Sequence, residues 1–95
     1  MKYVILDCKE FSNESEFHNI IKEKLEFPDY YGCNLDALWD CLTGWVDFPL
    51  TIEWIGFEES KKLLGEIAVK IANIFNRLVN YEKEHGHNDF FFIKH

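Results

Sequence analysis

The amino-acid sequence predicts an α/β fold: a three-stranded parallel sheet with about four covering helices, in the order β-α-α-β-α-α-β. Three observations lead to it. Short apolar runs of strand length stand at Tyr3–Leu6, Leu50–Trp54 and Phe90–Ile93. Between them lie stretches with helix caps and apolar residues at helical spacing. Strands joined by helical crossovers pair in parallel and are covered by those helices. The whole chain, residues 1–95, reads as one domain without internal repeats.

Each element follows from local signals. Tyr3–Leu6 suits a buried strand. Ser12 and Asn13 are cap residues, and Asn13 with Glu16 has capping-box spacing. Phe17, Ile20, Ile21 and Leu25 then form one apolar face, with His18, Lys22 and Lys24 off it. Phe27-Pro28 ends this helix, because a residue before proline is pushed out of the helical region. A loop, Asp29-Tyr30-Tyr31-Gly32-Cys33, leads to Asn34, which caps a second helix through about Thr43, with Gly44 as its stop. The second strand, Leu50–Trp54, follows Pro49. A short third helix covers roughly Phe57–Leu64, and Gly65 separates it from a long fourth. There Ile67, Ile71, Ile74, Phe75, Leu78 and Tyr81 share a stripe. Gly86 is the stop, and Phe90–Ile93 makes a last buried strand.

Composition narrows the function. The chain is 47% hydrophobic and 17% aromatic, enough apolar area for a core without disulfides or metal. Cys8, Cys33 and Cys41 are odd in number and lack CxxC spacing, which reads as reduced thiols in the cytoplasm. The start lacks a signal-peptide pattern and no run is long enough to span a membrane. A net charge of −7 argues against direct nucleic-acid binding, which needs clustered Lys and Arg. The charge is also uneven. Between Leu25 and Ser60 there is no Lys or Arg, yet Glu26, Asp29, Asp36, Asp40, Asp47, Glu53, Glu58 and Glu59 all lie there, with Trp39, Trp45, Trp54, Tyr30 and Tyr31.

On the second helix, Asp36, Asp40 and Thr43 share one narrow stripe with Trp39 beside it, while Leu38 and Leu42 lie opposite, flanked by Leu35 and Cys41. Asp36 gains from the helix dipole in the first turn, but Asp40 does not. The i,i+4 like-charge pair costs a helix about 0.2–0.5 kcal/mol. A helix shaped only for folding would avoid it. An acidic patch ringed by aromatics, beside a glycine that permits close approach, suits a protein partner with a basic cleft.

The stretch PDYYGCNLDALWDCLTGWVDFPL, from Pro28 to Leu50, resembles the signature of the barstar family, intracellular inhibitors of barnase-type ribonucleases. The likeness continues through Glu53-Trp54, Phe57-Glu58 and Ser60-Lys61; the outer thirds match mainly in pattern. The resemblance implies a non-enzymatic, cytoplasmic inhibitor, monomeric when free and without cofactor, whose partner is a basic ribonuclease. It implies that Asp40 is the chief phosphate mimic, with Asp36 pairing to a neighbouring basic residue. Tyr30, Tyr31, Gly32, Asn34, Leu35, Trp39, Thr43, Gly44 and Trp45 would supply packing and hydrogen bonds, and Asp47 an acid at the edge. The alternative is a barstar-like immunity or binding module directed at a non-barnase toxin or another basic protein.

Two positions depart from the family pattern. The family carries a further acid on the fourth helix, a residue or so after the aromatic aligned with Phe75; here stand Asn76 and Arg77. Cys33 replaces a polar or acidic loop residue. Other chemistries are weaker. His85, His87 and His95 with Asp89 look like metal ligands, but a polar turn and the chain terminus explain them, and no metal is expected. Cys41 with His18 could pose as a nucleophile pair, but Cys41 falls on the core-facing side.

Overall fold

Three strands, β1 (Lys2–Asp7), β2 (Leu50–Ile55) and β3 (Phe90–Lys94), pair in parallel in the order β1-β2-β3. Helices α1 (Glu14–Lys24) and α2 (Leu35–Gly44) connect β1 to β2, and α3 (Phe57–Leu64) and α4 (Glu66–Glu84) connect β2 to β3. The expected β-α-α-β-α-α-β order and parallel sheet are therefore present. The structure is a computed structural model that describes residues 2–95.

The register shows why the core is one-sided. Ile52 stands between Val4 and Phe92, and the neighbouring rows place Leu6 beside Trp54 and Leu50 beside Phe90. This face meets the helices, and Leu6, Leu50, Ile52 and Trp54 are fully buried with Phe11, Phe17, Ile21, Leu38, Leu42, Ile71, Phe75 and Leu78. Trp54 is the hub: its ring meets Phe11, Phe17, Phe57 and Phe75, and its indole N–H donates to Ser60 Oγ at 3.0 Å. A buried indole needs such a partner.

The opposite face corrects one expectation. A continuous apolar run at Phe90–Ile93 is not buried throughout, because alternate side chains of a strand point to opposite faces. Tyr3, Ile5, Ile55, Phe91 and Ile93 are 38–53% exposed on the open face. Glu53 stands among them, hydrogen-bonded to the Tyr3 hydroxyl and to His95 Nε2.

Helix ends mostly follow the sequence signals. Asn13 accepts from the Glu16 N–H at 2.8 Å, and Asn34 accepts from the Ala37 N–H at 2.7 Å. The Glu16 carboxylate returns to Ser12, accepting from both its backbone N–H and its hydroxyl, so the capping box closes one residue earlier than the spacing predicts. These bonds hold the Glu16 carboxyl below the usual range. Gly44 is the last residue of α2 rather than its stop, and it is not among the glycines of positive φ. Gly86, with φ of 76°, does stop α4. The Gly86 N–H donates to the Lys83 carbonyl at 3.1 Å and the His87 N–H to the Glu82 carbonyl at 2.8 Å. This is a Schellman turn, which folds His87 back over the last turn of α4.

Candidate functional site

The loop before α2 and the outward face of α2 form one continuous surface. Asn34 starts the helix, and Leu38, Cys41 and Leu42 anchor it in the core, as their spacing predicts. That anchoring leaves Asp36 and Asp40 exposed. None of the ion pairs among the described residues involves either of them. Leu35 and Trp39 are half-buried beside them. Together with Lys70, Asn73, Ile74 and Arg77 of α4, these four line a depression of about 470 Å³.

Trp39 is held from two sides. Its ring meets Tyr81 edge-on, with centroids 5.5 Å apart, and the Arg77 guanidinium lies over its face at 4.0 Å. Thr43 donates its hydroxyl to the Trp39 carbonyl at 2.8 Å. That back-bond is a local helix contact, and it leaves the hydroxyl oxygen able to accept.

The aromatic flank comes from the loop and the chain after α2. Tyr30 is 80% exposed and meets Trp45 edge-on at 6.4 Å. Trp45, 48% exposed, is fixed by its indole N–H, which donates to the Glu26 carbonyl at 2.9 Å. Glu26 and Cys33 both adopt positive φ, 55° and 52°, a conformation uncommon outside glycine. They bracket the loop and set its two bends. At Gly32 a side-chain carbon would stand 3.3 Å from the Asn34 side chain, so glycine leaves the α2 cap undisturbed. Gly44 is open, with nothing within 4 Å of the place a Cβ would occupy. Asp47 is exposed beyond Trp45, beside a small depression shared with Lys2 and Glu26.

Tyr31 sits differently from its neighbour. It is buried against Phe27, and its hydroxyl lies 2.6 Å from His18 Nδ1. The other ring nitrogen of His18 lies 3.2 Å from the Glu14 carboxylate. His18 itself is fully buried, which corrects its assignment to the outer side of α1: the loop carrying Tyr31 covers that side as well. Burial pushes the Tyr31 hydroxyl pKa well above its ordinary value, with lesser contributions from Cys33 and Cys41. Burial likewise pushes the Cys41 thiol up, and the Asp40 charge adds to this. With both ring nitrogens engaged by Tyr31 and Glu14, His18 has no free nitrogen for Cys41.

The Barstar family model, described as barstar (barnase inhibitor), matches residues 1–94. The chain belongs to the barstar family. It is also 51% identical over 74 residues to a Bacillus subtilis (strain 168) protein named "Putative ribonuclease inhibitor YrdF", covering 78% of this chain and 81% of that one. Among the described residues no helix is long and apolar enough to cross a membrane.

Two contacts lay beyond sequence reasoning. Arg77 on Trp39 joins residues from different helices far apart in the chain, and no local pattern announces it. The second is the approach of Glu82 to His87 and Asp89, two residues whose ligand-like pattern the sequence did show, near the C-terminal end of α2. The histidines noted in the sequence separate here: His95 lies at the sheet with Glu53, while His85 bonds the Tyr81 carbonyl.

Proposed function

We propose that this chain inhibits a barnase-like ribonuclease by filling its basic active site with the outward face of α2 and the loop before it. The observation that carries the reading is the Asp36–Asp40 stripe: two exposed carboxylates one turn apart, without an ion-pair partner among the described residues, on a helix whose other side is firmly packed. A rigid helix holds such carboxylates where RNA phosphates would lie. Arg and His side chains of a nuclease can then donate charge-assisted hydrogen bonds to them. Asp40, at the centre of the surface, is the chief phosphate mimic, and Asp36 pairs beside it. Tyr30, Trp39 and Trp45 supply rigid contact area around the acids, and Leu35, Thr43 and Gly44 complete the face. Gly32 and Asn34 shape the loop. Tyr31 contributes by holding that loop onto α1 rather than by direct contact. Asp47 adds negative potential at the edge, which speeds encounter with a basic enzyme.

Arg77 favours a particular variant of this reading. It sits against Trp39 on the rim of the same surface, where the family pattern has an acid. The cognate enzyme is therefore one with a neutral or acidic group facing Arg77, a toxin nuclease other than barnase included. The test is an RNA-cleavage assay with barnase-like enzymes, titrated with wild-type protein and with Asp40→Ala. Stoichiometric inhibition that Asp40→Ala abolishes supports the proposal. Full inhibition by Asp40→Ala overturns it.

A further inference from the structure

We propose that Glu82, His87 and Asp89 form a binding site for one divalent transition-metal cation of the zinc type. The three converge from separate places: Glu82 from the last full turn of α4, His87 from the turn after it, and Asp89 from the residue before β3. One ligand atom from each lies within 4.8 Å of the others. A tetrahedral zinc with bonds of about 2.1 Å has ligand atoms roughly 3.4 Å apart, so small side-chain rotations close the set.

The convergence is built by the backbone. The Schellman turn at Gly86 brings the His87 N–H onto the Glu82 carbonyl and so holds residue 87 beside the turn that bears the Glu82 carboxylate. On the other side, the Asp89 carbonyl accepts from the Leu50 N–H at 2.9 Å, which ties this residue to the start of β2. Both anchors are main-chain bonds, independent of what the side chains bind.

The carboxylates themselves call for a cation. Glu82 is only 7% exposed as a residue, and its carboxylate, which makes no hydrogen bond or ion pair among the described residues, keeps its oxygens open to the depression that His87 and Asp89 also line. Asp89 Oδ1 is shielded from solvent and has no hydrogen-bond partner, the sole such side-chain atom among the described residues. Buried acids are normally paired or bound to a metal, and an orphaned buried oxygen calls for an explanation. The C-terminal end of α4 adds partial negative charge that favours a cation at this point. Thr43, Phe48, Tyr81 and His85 complete a depression of about 280 Å³ that gives a cation access and leaves room for a water as fourth ligand. One imidazole with two carboxylates selects zinc-type ions over magnesium or calcium, which take oxygen ligands in larger sets.

The test titrates chelator-treated, full-length protein with zinc chloride alone by calorimetry and follows the thermal midpoint with and without zinc. One zinc per chain is expected, with a higher midpoint in zinc. His87→Gln, Asp89→Asn and Glu82→Gln should each weaken binding by more than about tenfold, a loss seen even for residues behind the ligands. His95→Gln and Cys33→Ser should bind as wild type does. His87 is exposed, so His87→Gln tests the site without endangering the core. No zinc uptake at millimolar zinc, unchanged affinity in His87→Gln, or loss of binding in Cys33→Ser would each overturn the assignment.

Discussion

The guanidinium of Arg77 on α4 lies 4.0 Å from the centre of the Trp39 ring on α2, and Tyr81 closes the same indole from its edge. The contact joins the two helices that border the depression, with Asp36 and Asp40 on the α2 side and Lys70 and Arg77 on the α4 side. It also orients Trp39, because a cation on the face and an aromatic edge leave the ring one comfortable setting. A residue that breaks the family charge pattern is therefore integrated into the surface.

Arg77→Glu separates these two roles. Loss of the cation–π contact should lower stability by about 0.5–1 kcal/mol, the usual worth of an exposed pair. Restoring an acid at the rim should tighten binding to a barnase-like enzyme by about 1 kcal/mol, roughly fivefold in Kd. Urea unfolding reads the first and the inhibition constant the second. Weaker inhibition would show that position 77 does not face the basic rim.

Asp40→Ala should weaken inhibition by at least about 2 kcal/mol, the threshold for an interface hot spot. That threshold is general to protein interfaces, and barnase–barstar is one of the complexes that illustrate it. The free variant should be as stable as wild type or gain about 0.2–0.5 kcal/mol, since the i,i+4 repulsion with Asp36 disappears. Paired denaturation and RNA-cleavage measurements decide it. A destabilised variant would mean that Asp40 has a folding role.

Tyr31→Phe leaves His18 Nδ1 buried without its partner, and should cost about 1–3 kcal/mol of stability. The cause is local to the junction of α1 and the loop, so inhibition should persist wherever the protein remains folded. A chemical denaturation curve measures the cost. An unchanged midpoint would show that the hydroxyl–imidazole contact carries no net stability.

Glu53 makes stability fall in acid. The Tyr3 hydroxyl first, and then His95, hold its carboxyl below the ordinary value of 4.5 in the folded state. A depressed carboxylate contributes stability that is present above its unfolded value and lost as pH falls through the folded one. Wild type should therefore lose more thermal stability than Glu53→Gln below about pH 4.5, with the two converging in acid. Thermal midpoints measured from neutral pH down into acid provide the comparison. Parallel curves would remove Glu53 from the acid response.

Short-range signals were legible in the sequence because they act within a few residues. Asn13 and Asn34 cap their helices through side chains that reach only a few positions ahead, and Gly86 stops α4 through its own backbone freedom. The Asp36–Asp40 stripe follows from helical spacing alone, once Leu38 and Leu42 are assigned to the core. Element order, parallel pairing and the acidic face were all accessible on this basis.

Other features depend on what covers a side chain, and only the tertiary structure decided them. His18 is buried because a later loop lays Tyr31 over it. Phe91 and Ile93 are exposed because the helices pack on one face of the sheet, whereas an apolar run alone suggests two covered faces. Arg77 meets Trp39, and Glu82 meets His87 and Asp89, through the packing of α4 against its neighbours and the turn at its end. Sequence periodicity determines which face of an element is apolar; the packing of elements determines which polar groups share a dry, charged or open space.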